Sequence, residues 1–279
     1  MFARTRALPL MVLAALSASA GNASAQTWTT PTSPYRLWPG PDLGLLAATT
    51  TLWIMPTLVM HNQIKPPDCA LTACDPADVN VLDRQFIQFH NPAGRWAAEG
   101  MFLAMPILWG GLELGDVGWH DWKTVLLDFG ILAEALAWSG AVDEIFRHAV
   151  HRPRPYLYVA GVYPDSRLEG EATFSYYSGH TSAWFAFSVT TAYTFTLRHP
   201  HSPWRYPVWI GLLAAGALQG VFRVWSGDHF PTDVLTGMLV GSAIGIAVPT
   251  LHLRPADAKV WLVPSVSEGA ATVWLGGSF

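Results

Sequence analysis

The sequence predicts an all-α protein, a bundle of about five to six core helices embedded in or associated with a membrane, with a short β-hairpin at its C-terminus. Hydrophobic residues make up 51% of the 279 residues and charged residues only 13%. Apolar stretches of about 16–25 residues, enough to span or nearly span a bilayer, alternate with Gly- and Pro-containing intervals. They cover 43–60, 97–114, 122–146, 182–197, 206–222 and 234–251. The net charge of −4 argues against a nucleic-acid partner.

The N-terminus has the pattern of a secretory signal peptide over residues 1–25. Arg4 and Arg6 precede a short apolar core at 7–17, and small residues at 23–25 offer a cleavage site. Cleavage before Gln26 would place the mature protein outside the cytoplasm, in the cell envelope. The alternative is an uncleaved anchor helix.

Residues 26–120 form an N-terminal segment that contains the first helices and both cysteines. In an exported protein, Cys69 and Cys74 at this short spacing predict a disulfide. The alternative is two free thiols. A zinc site is disfavoured because no second ligand pair follows at a suitable spacing.

Two features bear on the membrane topology. Asp128, Glu134 and Asp143 would be costly if they faced lipid, and the turn that contains Arg198 and Arg205 is typical of a cytoplasmic loop. We favour two arrangements over a fully soluble periplasmic bundle: five membrane crossings that leave out the stretch 43–60, or a bundle that lies against the membrane.

The tail 254–279 differs in composition from the helical core. Two β-prone runs, 260–263 and 271–275, flank a Ser-Glu-Gly turn and predict the hairpin.

The first polar segment within the core, "RHAVHRPRP", covers residues 147–155. Arg147 lies on the last turns of a predicted helix, which Pro153 and Pro155 end, so Arg154 projects just beyond it. Alone, the segment is equally typical of a basic helix end that interacts favourably with the helix dipole.

The second segment, "YSGHTS", covers residues 177–182 and opens an apolar helix. Ser178 is a candidate N-cap, Gly179 permits close approach of a ligand to the backbone, and the free N–H groups of a helix start favour an anion. His180 in the first turn opposes the dipole when protonated, which indicates a function. Taken alone, such a cap is common.

The third segment, "FRVWSGDHFPTD", covers residues 222–233. Pro231 suits the first turn of the last helix, and Asp233 lies four residues after His229, so its carboxylate is expected to contact one imidazole nitrogen. Arg223 ends the preceding helix. The alternative is a structural His–Asp cap pair.

Together the segments would bring at least three arginines, two histidines and a helix N-terminus to one end of the bundle. Arginine matches phosphate oxygens with two parallel hydrogen bonds, and two histidines divide nucleophilic attack and proton transfer between them. This inventory predicts phosphoryl transfer without a metal.

The segments resemble the three signature motifs of the type 2 phosphatidic acid phosphatase superfamily, which includes bacterial class A acid phosphatases and vanadium haloperoxidases. The order and spacing match over about 147–250, within a predicted phosphatase core of 121–253. Three positions depart from the family pattern: Arg147 replaces lysine, Tyr177 replaces proline and Phe222 replaces serine. These replacements put the substrate class in doubt more than the activity.

The resemblance implies a role for each matching residue. His229 is the nucleophile that forms a phosphohistidine, Asp233 orients it, and His180 is the general acid. The implied phosphate ligands are Arg147, Arg154, Ser178, Gly179 and Arg223. The expected protein is a phosphatase of the inner membrane or periplasm, without metal or cofactor, acting on a lipid phosphate, a lipid pyrophosphate or a small phosphate ester. A vanadate-dependent haloperoxidase and a non-catalytic phospholipid-binding protein are the alternatives.

Overall fold

Long helices dominate the described part of the chain, which in this computed structural model is residues 29–30, 32–60, 64–254, 260–267 and 270–277. These helices are α1 (Pro39–Met60), α2 (Pro92–Asp116), α3 (Trp122–Val150), α4 (Gly179–Arg198), α5 (Arg205–Trp225) and α6 (Pro231–Leu251). Each contains one of the six apolar stretches, so the predicted all-α bundle is confirmed.

Shorter elements fill the connections. One-turn helices cover Val81–Arg84 and Pro164–Arg167, and 3-10 turns cover Asp68–Leu71, Pro76–Asp78, Trp119–Asp121, Pro155–Tyr158 and Gly170–Thr173. The tail forms the expected antiparallel hairpin, β1 (Val260–Ser267) with β2 (Ala270–Gly277), in which Val260 faces Gly277. The predicted signal peptide, residues 1–25, lies outside the described residues.

Neighbouring helices run antiparallel, so the bundle has two distinct ends. At one end Gly179, which begins α4, lies against Asp143 near the end of α3. At the other, Arg198 at the end of α4 pairs with Glu113 near the end of α2. We call the first the motif end, because α3 and α5 finish there while α4 and α6 begin there. The second is the opposite end.

Close packing of α4 against α6 fixes the motif end. Gly237, Gly241 and Gly245 follow one another every four residues along α6, and each faces α4. A Cβ atom at Gly237 would lie 2.6 Å from the carbonyl oxygen of Ser178. Small residues at this spacing allow two helix backbones to approach closely. The starts of α4 and α6 are therefore held side by side.

The three acidic residues that would be costly in lipid all face the protein interior. Asp128 forms an ion pair with Arg198, and Glu134 Oε2 lies 3.3 Å from Nε2 of His252. Asp143 Oδ2 lies 3.7 Å from Nε of Arg147. Pairing inside the bundle offsets part of the cost of removing these carboxylates from water.

The outer surface of the bundle is apolar. Leu103, Ile107, Ile210 and Leu239 are each between 69% and 79% exposed. Within the described part of the chain, four segments are long and apolar enough to cross a membrane: Pro39–Val59, Trp119–Tyr158, Arg205–Trp225 and Pro231–Leu251. This is the helix inventory of a membrane protein. The stretch 43–60, expected to stay outside the bilayer, is one of these candidates because α1 continues as a helix through Thr49–Thr51 and Pro56.

Cys69 and Cys74 form a disulfide, with an S–S distance of 1.96 Å, and it lies at the motif end. The buried guanidinium of Arg167 ties this loop to the segment after α3: it donates to the carbonyl oxygens of Ala70 at 2.8 Å and Tyr156 at 2.8 Å. The loop therefore packs directly behind the residues that follow the first motif.

Candidate active site

Backbone hydrogen bonds join the three motif segments to one another. The amide of Ser175 donates to the carbonyl of Arg152 at 2.9 Å, and that of Ser178 donates to the carbonyl of Asp233 at 3.1 Å. These bonds place the loop before α4 between the end of α3 and the start of α6. Segments distant in sequence thus share one end of the bundle.

A cavity of about 890 Å³ opens among these segments. Six of the predicted site residues line it: Arg147, Arg154, Gly179, His180, Arg223 and His229. Ser178 and Asp233 do not line it, because both are fully buried behind the wall. Both histidines and all three predicted arginines therefore face the same space.

His229 lies in the turn between α5 and α6 and is 3% exposed. Its Nδ1 is 2.7 Å from the carbonyl oxygen of Ser175. Since a carbonyl only accepts, Nδ1 carries the proton and Nε2 keeps its lone pair. Burial, together with Arg223 and Arg154, holds the pKa of His229 well below its usual range. The imidazole is therefore neutral and nucleophilic at neutral pH.

The expected contact between Asp233 and His229 is wrong. Asp233 Oδ2 accepts from the Ser175 hydroxyl at 2.6 Å and from the Phe230 amide at 2.9 Å, and Oδ1 accepts from Arg152 at 2.5 Å. The carboxylate turns back to cap its own helix, as acidic residues in a first turn often do. Ser175 connects it to His229, since the carboxylate binds the Ser175 hydroxyl and the Ser175 carbonyl holds the imidazole.

The start of α4 supplies a cap and an acid–base group. Ser178 is the N-cap, with its Oγ 2.9 Å from the hydroxyl of Thr181. Its side chain therefore stabilises the helix and does not face the cavity, contrary to the phosphate-binding role that the resemblance implied. His180 is exposed to the cavity, and its Nε2 lies 3.2 Å from Glu99.

Two of the three replaced motif residues, Tyr177 and Phe222, lie apart from the cavity. The Tyr177 ring is buried beside Phe146, with centroids 5.7 Å apart. The Phe222 ring lies beside Trp225, at 6.4 Å. Neither of the two replacements lines the cavity, whereas Arg147 does, with Nη1 2.9 Å from Glu144.

Asp228 is a buried carboxylate that sequence reasoning missed. Its oxygens lie 2.5 Å from Arg95, 3.4 Å from Arg154 and 3.3 Å from Arg223. Burial alone would raise the pKa of Asp228, but these arginines outweigh burial and hold it well below its usual range. The ionised carboxylate keeps the guanidinium groups together despite their mutual repulsion. In the sequence, its position next to His229 was the one feature that could have marked Asp228 as a site residue.

Two further charged residues of the cavity come from α2, far in sequence from any motif. Arg95 and Glu99 are four residues apart and so share one helix face. Arg95 holds Asp228, and Glu99 contacts His180 and Arg223. A charged pair near the start of a helix is common, so the sequence carried no signal that set these two apart.

Guanidinium groups of the site retain bonding capacity. Among the described residues, Nε of Arg147 and Nε of Arg223 are buried donors without a hydrogen-bond partner. A buried donor left unpaired is costly, and an anion in the cavity would satisfy it. The far wall of the cavity is apolar and includes Leu46, Trp53, Phe102, Met105 and Leu136. The cavity thus joins a cationic part to an apolar part.

Comparison with known proteins agrees with this geometry. Residues 128–256 match the family model of the PAP2 superfamily. A lipid A 1-phosphatase of Rhizobium etli is 27% identical over 125 residues, 44% of this chain and 50% of the relative. One of Rhizobium johnstonii is 28% identical over 121 residues, 43% of this chain and 46% of the relative. The chain spans about half the length of these curated relatives.

A solved structure also resembles the fold. It is a transmembrane PAP2 type phosphatidylglycerolphosphate phosphatase from Bacillus subtilis, with a TM-score of 0.44 and 19% identity, covering 74% of this chain and 93% of that one. The match to the family model contains all three motif segments and every predicted catalytic residue. Residues 128–256 of this chain are therefore similar to the PAP2 superfamily.

Proposed function

We propose that the protein is a metal-independent phosphatase that hydrolyses a phosphate ester or pyrophosphate, in particular that of a lipid, through a phosphohistidine. The observation that carries the proposal is the geometry of His229. Its Nδ1 is held by a carbonyl and its Nε2 keeps its lone pair. Arg147 and Arg223 share its cavity, and their Nε donors have no hydrogen-bond partner among the described residues.

The reaction proceeds in two balanced steps. First, Nε2 of His229 attacks phosphorus, the bond from phosphorus to the leaving oxygen breaks, and His180 donates a proton to that oxygen. Then water attacks the phosphohistidine while His180 takes up a proton from it. The P–N bond breaks, phosphate is released, and His229 returns to its neutral form.

The arginines stabilise the charge of the transferring phosphoryl group. Arg147, Arg154 and Arg223 come from two helix ends and one loop, so a single anion contacts all three only inside this cavity. The starting N–H groups of α4, next to Gly179, add positive dipole. Preorganised donors of this kind stabilise the transition state more than the ground state.

The apolar wall supports a lipid substrate. Leu46 and Trp53 of α1 and Phe102 and Met105 of α2 line the cavity, and the outer surface of the bundle is apolar. An acyl or isoprenoid chain would occupy this side while its phosphate reaches the arginines. The relatives from Rhizobium act on the 1-phosphate of lipid A, according to their names.

A substrate panel tests the function. We expect the purified protein to release phosphate from at least one of lipid A 1-phosphate, phosphatidic acid and undecaprenyl pyrophosphate faster than from glycerol phosphate, and EDTA to leave the rate unchanged. The measurement is phosphate release in detergent micelles. Tight phosphate binding without any turnover would contradict catalysis and favour the non-catalytic alternative. Halide oxidation after addition of vanadate and peroxide would favour the haloperoxidase.

We propose that the cavity faces the periplasm. The disulfide lies at the motif end, and disulfides persist in oxidising compartments. Arg198 and Arg205, the basic turn, lie at the opposite end, as expected for a cytoplasmic loop. If α1 crosses the bilayer, this orientation requires the chain before Pro39 to lie in the cytoplasm, which conflicts with a cleaved signal peptide. Asp42 near the start of α1 lies beside His252 at the opposite end, and Thr57 near its end donates to Glu144 at the motif end, so α1 runs the length of the bundle.

Labelling of single introduced cysteines tests this orientation. Asp165 is exposed at the motif end and His201 at the opposite end, while the disulfide-bonded native cysteines do not react. In intact cells, a membrane-impermeant maleimide is expected to label Asp165→Cys and to leave His201→Cys unlabelled until the cells are lysed. The reverse pattern would place the cavity in the cytoplasm.

A further inference from the structure

Glu99 contacts two groups of the proposed machinery at once. One carboxylate oxygen lies 3.2 Å from Nε2 of His180 and 3.4 Å from Nη1 of Arg223. The side chain is 48% exposed and faces the cavity. Phe102, one turn further along α2, packs its ring 5.0 Å from that of His180. The imidazole is thus held against a single face of α2.

His180 needs a counter-charge to act as an acid. Arg223 and Arg154 share its cavity, and like charges disfavour the protonated imidazole. Burial, followed by Arg223, lowers the pKa of His180, whereas Glu99 acts in the opposite direction. A general acid must hold its proton before it donates it. The other acidic groups that line this cavity are Asp228, which is paired with arginines, Asp143, which lies against Gly179, and Glu169 and Glu171 from the segment after α3.

We propose that Glu99 is a positioning residue that keeps His180 protonated for its role as general acid. It orients the imidazole through Nε2 and offsets the positive charge of Arg223 beside it. The inference rests on the proposed phosphatase function and assigns a role to a residue of α2, outside the segment that matches the family model.

Titration of His180 by NMR tests this inference without turnover. In protein labelled at histidine, the His180 signal is identified by its loss in His180→Asn. In Glu99→Gln we expect the midpoint of that signal to fall by about one pH unit, since an opposite charge has been removed. The other titrating and charged groups that share the cavity with His180 remain present in both proteins; they are Arg95, Arg147, Arg154, Arg223, Asp143, Asp228, Glu169, Glu171 and His229. Asp165→Asn, which removes an exposed charge at the same end, should leave the midpoint unchanged.

Kinetics add a readout that a purely structural role would not alter. Phosphatidic acid has an alkoxide leaving group that needs a proton, whereas p-nitrophenolate leaves without one. For Glu99→Gln at pH 7.5 we expect kcat/KM to fall about tenfold for phosphatidic acid and less than about twofold for p-nitrophenyl phosphate. In the pH profile of kcat/KM for phosphatidic acid, the decrease on the basic side should begin at a lower pH than in the parent. The pH dependence has this sign because a lower pKa deprotonates the acid sooner as pH rises.

The outcomes separate this inference from the proposed function. An unchanged His180 midpoint in Glu99→Gln, or equal losses on both substrates, would overturn the role of Glu99 even if the protein is a phosphatase. A lowered midpoint in a protein that hydrolyses neither substrate would keep the coupling of Glu99 to His180 while the proposed function fails.

Discussion

Replacing His229 by alanine is expected to reduce phosphate release by at least about a thousandfold. Alanine removes the only atom that we propose bonds to phosphorus, and the remaining arginines bind the substrate without a path to the covalent intermediate. The measurement is kcat/KM on the best substrate of the panel. The loss should lie in kcat, since the phosphate ligands are intact.

Two controls make this result interpretable. The substitution leaves the Ser175 carbonyl without its imidazole partner, at a cost of about 1–3 kcal/mol, so thermal unfolding must show that the variant is folded. His201→Ala, exposed at the opposite end, should retain full activity. A folded His229→Ala protein with activity within tenfold of the parent would contradict the assigned nucleophile.

Arg223→Ala is expected to lower kcat/KM by about a hundredfold. Arg223 is 4% exposed, and its Nε is a buried donor without a partner in the described residues, so it is available to the transferring phosphoryl group. The effect should be greater on kcat than on KM, because the donor binds the charge-rich transition state most strongly. Asp228 keeps Arg95 and Arg154 as partners, which limits the cost to folding.

The matched variant is Arg223→Lys. An ammonium group keeps the charge but cannot form two parallel hydrogen bonds with phosphate oxygens, so we expect only part of the activity to return, about tenfold below the parent. If alanine and lysine variants both kept the kcat/KM of the parent, Arg223 would not contact the transition state.

The cavity could be predicted from sequence because its groups lie at helix ends marked by local signals. Pro153 and Pro155 predict the end of α3, which the structure places at Val150, and Ser178 predicts the start of α4. Pro231 does the same for α6. Antiparallel helices then bring Arg147, His180 and His229 to one end. The charged side chains of the three motif segments are thus explained by their ion pairs and by the cavity that they share.

Tertiary contacts explain what the sequence did not reveal. Spacing alone suggested that Asp233 contacts His229. In the structure the carboxylate instead accepts hydrogen bonds from the amide of Phe230 and the hydroxyl of Ser175, which lie closer to it. Arg95 and Glu99 meet the site only because α2 packs beside α5, an arrangement that no local pattern encodes. From the sequence, Ser178 could be either a helix N-cap or a phosphate ligand, and its contacts with Thr181 in the folded protein identify it as the cap.

Trapping the covalent enzyme tests the mechanism most directly. Phosphohistidine is labile in acid, so a reaction with ³²P-labelled substrate is quenched in alkali and the labelled residue is located by peptide mass analysis. We expect phosphate on His229 of the parent protein and none in His229→Ala. With ³²P-labelled p-nitrophenyl phosphate, whose leaving group needs no proton, the label should accumulate in His180→Ala, because water is no longer activated there. Phosphate release by an enzyme that never carries label at this imidazole would refute covalent catalysis.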